Sequence, residues 1–241
     1  MTNDAIQVEN GRRNGIGIRN EKSLHAAIKQ WYALPGDLLE QPVDGYVVDM
    51  VRGPLLIEIQ TRNLSALRRK LHALVLHHPV RLVYPIARDK WIVHVGKRGA
   101  IKRRRKSPKR GTLSDLFDEL VSLPDLFNYE GFEVQVLLIE EEEVRVADGK
   151  GSWRRKGESI RDRRLIRVLD QTIFSNGHAF LRFLPDGMVG PFSNAGLAKE
   201  KRIPIHTARQ ITFCLKKMGV IREAGREGRS LFFEIIRENR P

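Results

Sequence analysis

A single cysteine, Cys214, among 241 residues excludes an intrachain disulfide and a cysteine-rich zinc centre. Its setting in an apolar helical run suits a small buried hydrophobe. Long apolar runs are missing as well. No stretch approaches the roughly 18 residues of a membrane span, and residues 1–20 lack the apolar region of a secretion signal. These absences point to a cytoplasmic protein without membrane contact, opening on a flexible leader over 1–20. Acidic residues are scarce beside basic ones, 29 against 43, for a formal charge of +14. Such an excess favours accumulation on nucleic acid through counterion release. It is clustered rather than spread, which argues against a merely soluble basic surface.

Two of the acids stand out. Asp49 in VDGYVVDMV and Glu58 in LLIEIQT lie in strand-like runs separated by Gly53-Pro54. Side chains two apart in a strand share a face, so Glu58 and Gln60 form a polar row while Ile57 and Ile59 point the other way. If Gly53-Pro54 is the turn, Arg52 pairs with Leu55 and Asp49 falls opposite Glu58, about 5 Å away between Cβ atoms. Two carboxylates that close call for a cation between them. A hard divalent ion takes carboxylate, water and phosphate oxygens, which suits phosphodiester cleavage.

The order of elements is αβββαββ. A helix over 23–34 carries Leu24, Ala27, Ile28, Trp31 and Leu34 on one face and ends at Pro35-Gly36. Short runs at 38–43, 45–51 and 55–60 read as a meander. A helix capped by Asn63 follows, with Leu64, Leu67, Leu71, Leu74 and Val75 inward. Strands at 80–86 and 91–95 come next, the first reached by a helical crossover and so parallel to the strand before it.

A helix bearing Glu21, a hairpin with Asp49 on one strand and Glu58-Ile59-Gln60 on the next, then a helix and a parallel strand, resembles the core of the PD-(D/E)XK nucleases. The likeness covers residues 20–95. It implies a restriction endonuclease-like α/β fold and a metal-dependent deoxyribonuclease. Asp49, Glu58 and the Ile59 carbonyl would hold Mg²⁺ or Mn²⁺, Glu21 would assist, and Gln60 would orient the attacking water. Gln60 stands where the family usually has Lys; Lys70 is a candidate replacement. For Glu21 alone, an exposed charge favoured by the helix dipole is an equal reading.

The second half of the nuclease-like domain, 21–147, holds a basic stretch over 97–110 that reads as a mobile loop, with Arg103, Arg104, Arg105 and Lys106 gripping backbone phosphate. A capped helix at 112–123 and a buried strand at 132–139 complete it. Glu140 to Glu143 read as a solvated strand end rather than a metal cluster, because successive strand residues alternate in direction. Residues 148–158 form a basic linker with Arg154 and Arg155. There Trp153 either stacks on a base or packs against its own domain.

From 159 the pattern becomes helix, helix, helix and hairpin, resembling a winged-helix domain over 159–241. SIRDRRLIRVLDQTIF is its first helix, and the third, over 204–218, would enter a DNA major groove with Ile205, His206, Arg209 and Gln210 exposed and Ile211, Leu215 and Met218 inward. Arg226 and Arg229 flank the wing turn. The same fold also docks proteins, so fold alone does not decide. DNA is the expected partner, and cutting both strands suits a homodimer. A noncatalytic DNA-binding protein on a nuclease-like scaffold is the alternative, and Gln60 is the feature that favours it.

Overall fold

The computed structural model describes residues 23–96, 99–188 and 190–236. The expected leader and Glu21 lie outside the described residues. Helix α1, Ser23–Tyr32, buries Leu24, Ile28 and Tyr32, which recur every four positions. Trp31, expected on that face, is 46% exposed. Arg52 fixes the helix end: its Nη2 donates to the Tyr32 carbonyl at 3.0 Å, and the same guanidinium grips Asp37 at 2.8 and 2.9 Å. This clamp sets the position of α1 over the hairpin behind it.

That hairpin belongs to a meander of β1 (Leu38–Val43), β2 (Tyr46–Arg52) and β3 (Leu55–Ile59), with Arg52 paired to Leu55 as expected. Helix α2, Arg68–Leu74, then crosses to β4, Val80–Val95, which lies parallel to β3. Two strands were expected, over 80–86 and 91–95, but β4 runs unbroken through both, Pro85 included. The proline is tolerated by position. Val83 offers its carbonyl to the Gln60 N–H, and Pro85, two residues on, faces the same side, where β3 has already ended. The missing N–H therefore costs no ladder bond.

β5, Ile101–Lys106, pairs antiparallel with the outer half of β4. This corrects the mobile basic loop over 97–110: alternate basic side chains on a strand edge find partners, Arg104 on Glu142 at 2.7 Å and Lys106 on Asp89 at 2.9 Å. A four-residue helix α3, Phe117–Leu120, precedes β6, Phe132–Ala147, and β7, Glu158–Phe174. The seven-stranded mixed sheet runs β1-β2-β3-β4-β6-β7, with β5 beside β4.

Strand β7 overturns the helix expected over 159–174 and with it the boundary at 159. Its arginines have glutamates to meet across the sheet: Arg163 reaches Glu141 and Arg167 reaches Glu140, each at 2.7 Å. Residues 148–158 are accordingly the turn of a long β6–β7 hairpin rather than a linker. Glu140, Glu141 and Glu143 are buried, not a solvated end.

A small sheet of order β8-β10-β9 closes the chain, built from β8 (Phe192–Ser193), β9 (Ile221–Glu227) and β10 (Ser230–Ile235) around helices α4 (Asn194–Lys201) and α5 (Ile205–Lys217). Ser193 caps α4 by accepting from the Gly196 N–H at 3.1 Å. The apolar core runs without a break between the two sheets: Phe174 stacks on Phe180 at 4.4 Å between centroids, and Phe117 meets Phe183 at 4.8 Å. A second apolar cluster, including Leu24, Ile28, Met50, Ile57 and Ile59, fills the opposite face under α1.

Candidate functional site

The β2–β3 ladder stops one residue short of the two acids, at Met50 opposite Ile57. Val48 packs into the core on one face of the sheet and Met50 into the cluster under α1, so β2 turns over at Asp49. On the other side Glu40, at the matching level of β1, has φ 52° and leaves the β1–β2 ladder there. A strand distorted in this way frees backbone groups and re-aims side chains. Here the freed groups serve the acids. The Ile59 N–H donates to Asp49 Oδ2 at 2.9 Å, and the Asp49 N–H donates to Glu58 Oε1 at 3.3 Å. The regular ladder expected through Asp49 is thus replaced by reciprocal backbone-to-carboxylate bonds.

The remaining partners come from opposite layers. From α1, His25 Nε2 lies 3.3 Å from Asp49 Oδ2 and Lys29 Nζ lies 3.5 Å from Oδ1, with Glu40 holding that ammonium at 3.0 Å. From α2, Lys70 Nζ sits 2.5 Å from Glu58 Oε1 and also donates to the Val47 carbonyl. Gln60 stands apart. Its side-chain amide donates to the Asn63 carbonyl at 3.3 Å, and among the described residues no hydrogen bond joins it to either carboxylate.

These contacts separate the acids electrostatically. Burial pushes the Asp49 carboxyl up, but hydrogen bonds from His25 and Ile59 and the Lys29 charge outweigh it and leave the group below its ordinary value. Glu58 goes the other way: burial and then the charge of Asp49 raise it, and Lys70 only partly offsets them. Among the described residues no three of His, Cys, Asp and Glu converge as a metal cage. A pair of carboxylates is a donor set that suits a magnesium ion keeping its waters and meeting a substrate phosphate, and Glu58 would be open to one only with Lys70 displaced.

His25 and Lys29 were not assigned to the site from the sequence, although their four-residue spacing on α1 is a signal that it carries. Glu40 was not legible, since nothing in LLEQPV announces a positive φ. The other expected contacts scatter. Arg103, Arg104, Arg105 and Lys106 lie on β5, and Arg154 and Arg155 in the β6–β7 turn. On the small sheet, His206 and Arg209 are exposed on α5, as are Arg226 and Arg229 on the hairpin. Arg209 and Arg229 line one niche of about 210 Å³ with Ser193 and Asn194. Gln210, expected exposed, is half-buried. Ile211, Leu215 and Met218 do pack inward.

Among the described residues no helix is long and apolar enough to cross a membrane. An uncharacterized protein of Treponema pallidum (strain Nichols) is 33% identical over 162 residues, 67% of this chain. The chain spans about 64% of that relative's length. No solved structure matches. Residues 22–175, from the start of α1 to just past β7, match the family model described as Domain of unknown function (DUF8091), and the chain belongs to that family.

Proposed function

We propose that the protein is a metal-dependent deoxyribonuclease whose catalytic core is restriction endonuclease-like and whose C-terminal helices and hairpin act as a winged-helix DNA reader. The observation that carries this reading is the pair Asp49 and Glu58, tied together by reciprocal backbone-to-carboxylate bonds where the β2–β3 ladder opens. The order α1, meander, α2 crossover and parallel β4 supports it, as does the charge of +14.

Asp49 and Glu58 would hold Mg²⁺ or Mn²⁺, with the Ile59 carbonyl as a further oxygen. When bound, the ion supplies a lowered pKa for water and a Lewis-acid contact to the phosphodiester. Asp49 is kept ionised for this task by His25, Lys29 and the Ile59 N–H. Lys70, not Gln60, brings the ammonium a motif lysine would supply; α2 delivers it to the same carboxylate. On displacement from Glu58 it is placed to meet a phosphate oxygen. Arg209 and Arg229, across their shared niche, would hold the duplex backbone beside α5.

A second reading is a noncatalytic DNA-binding protein. It is favoured by Lys29 and Lys70, which already neutralise the acids, and by Gln60, which is turned to Asn63. Supercoiled plasmid separates the two. Nicking that needs Mg²⁺ or Mn²⁺ and stops with EDTA supports the nuclease, whereas retention of the plasmid uncut under all conditions supports the scaffold.

A further inference from the structure

We propose that the outer halves of β4, β6 and β7, together with β5, form an arm that engages DNA at unpaired bases, with Trp153 at its tip as the stacking platform. This rests on the nucleic-acid reading above and names the substrate class: DNA with unstacked bases, as at bubbles, branches or single-stranded ends. Beyond Ile139, the last β6 residue in the apolar cluster under α1, the strand continues to Ala147. At about 3.3 Å per residue that is roughly 26 Å of further strand. A small apolar patch of Val93, Val95 and Val144 and a ladder of ion pairs hold these outer strands together.

Trp153 is 83% exposed. It therefore does not pack against its own domain, and the Arg154 guanidinium at 5.5 Å from its ring is a basic neighbour rather than a cover. The turn beneath it is built rather than slack. The Gly151 N–H donates to the Gly157 carbonyl at 2.9 Å, the Lys156 N–H to the Trp153 carbonyl at 2.9 Å, and Arg155 Nε to the Glu158 carbonyl at 3.2 Å. A Cβ on Gly151 would sit 1.7 Å from the Glu158 carbonyl oxygen, so the close approach demands glycine. A held aromatic loses less entropy on binding than a mobile one.

The charges choose the partner. Glu140 to Glu143 are each engaged by cations within the arm. By contrast, among the described residues Arg103, Arg105, Arg154, Arg155 and Lys156 have no carboxylate within 4 Å. An indole with Arg154 beside its ring, on an arm where Arg103, Arg105, Arg155 and Lys156 likewise face no carboxylate, fits alternating bases and phosphates. It fits only a base whose face is open, because a regular duplex stacks both faces of each base already.

The test uses the full chain in EDTA, so that nothing is cut, and compares its affinity for a fully paired duplex with that for one of equal length carrying a central bubble. Wild type should prefer the bubble. Trp153→Ala should lose about tenfold on the bubble and less than about twofold on the duplex, with Trp153→Phe close to wild type. Equal wild-type affinity for the two, or an equal loss on both for Trp153→Ala, would overturn the arm and leave the DNA reading standing. Failure of the full chain to bind either DNA would overturn both.

Discussion

Lys70 holds Glu58 at 2.5 Å, and the consequence is measurable through pH. Glu58 must be ionised to hold a metal, and its carboxyl lies above the ordinary range because of burial and Asp49. Cleavage at limiting Mg²⁺ should therefore fade on the acid side at a higher pH than an ordinary glutamate would give. Lys70→Met should move that limb higher still and slow cleavage about 100-fold at neutral pH; an unmoved limb would count against Lys70 at the site. For stability the two acids oppose each other. The lowered pKa of Asp49 stabilises the fold above its unfolded value of about 3.9, and this is lost as pH falls through the folded one. The raised pKa of Glu58 stabilises below its unfolded value of about 4.3, and this is lost as pH rises through the folded one. Asp49→Asn should thus bring Glu58 back toward its ordinary value in a carboxyl NMR titration.

At the level of elements, the meander and its crossover were legible because Gly53-Pro54 and the period of α2 are local signals. The helix expected over 159–174 was not a strand on local evidence. RDRRLIRVLD is as compatible with one helix face as with a strand, and the glutamates that decide it sit more than twenty residues away on β6. Glu140 to Glu143 were misjudged for the same reason. An acid run looks solvated until arginines from two other strands arrive. Glu141 is fully buried between Lys90 and Arg163, so Glu141→Ala should cost about 2–3 kcal/mol in urea unfolding, since it leaves two cations facing an apolar void. Arg164→Ala, at an exposed pair, should change stability by less than about 0.5 kcal/mol. Similar losses for both would mean that the ladder contributes nothing particular.

Across the whole molecule the expectation of two separable domains gives way to one continuous core. Phe174 ends β7 yet stacks on Phe180, and Phe117, Phe127 and Phe183 join the same cluster as Ile211 and Leu215 of α5. A cut at 158 would part β7 from β6 along the full length of both. Denaturant unfolding should follow a single transition by far-UV circular dichroism and by tryptophan fluorescence alike. Two transitions, or an independently folded fragment of 159–241, would contradict a shared core. The helix–helix–hairpin order was visible in the sequence, but the fusion was not, because it depends on phenylalanines spread over four elements.

The acids at the opened ladder are the point on which the proposed function turns. Purified Asp49→Ala and Glu58→Ala should bind DNA within about twofold of wild type, since affinity resides in the basic surfaces, and should leave supercoiled plasmid uncut in Mg²⁺ or Mn²⁺ where wild type nicks it. Nicking by either variant at the wild-type rate would remove Asp49 and Glu58 from the chemistry.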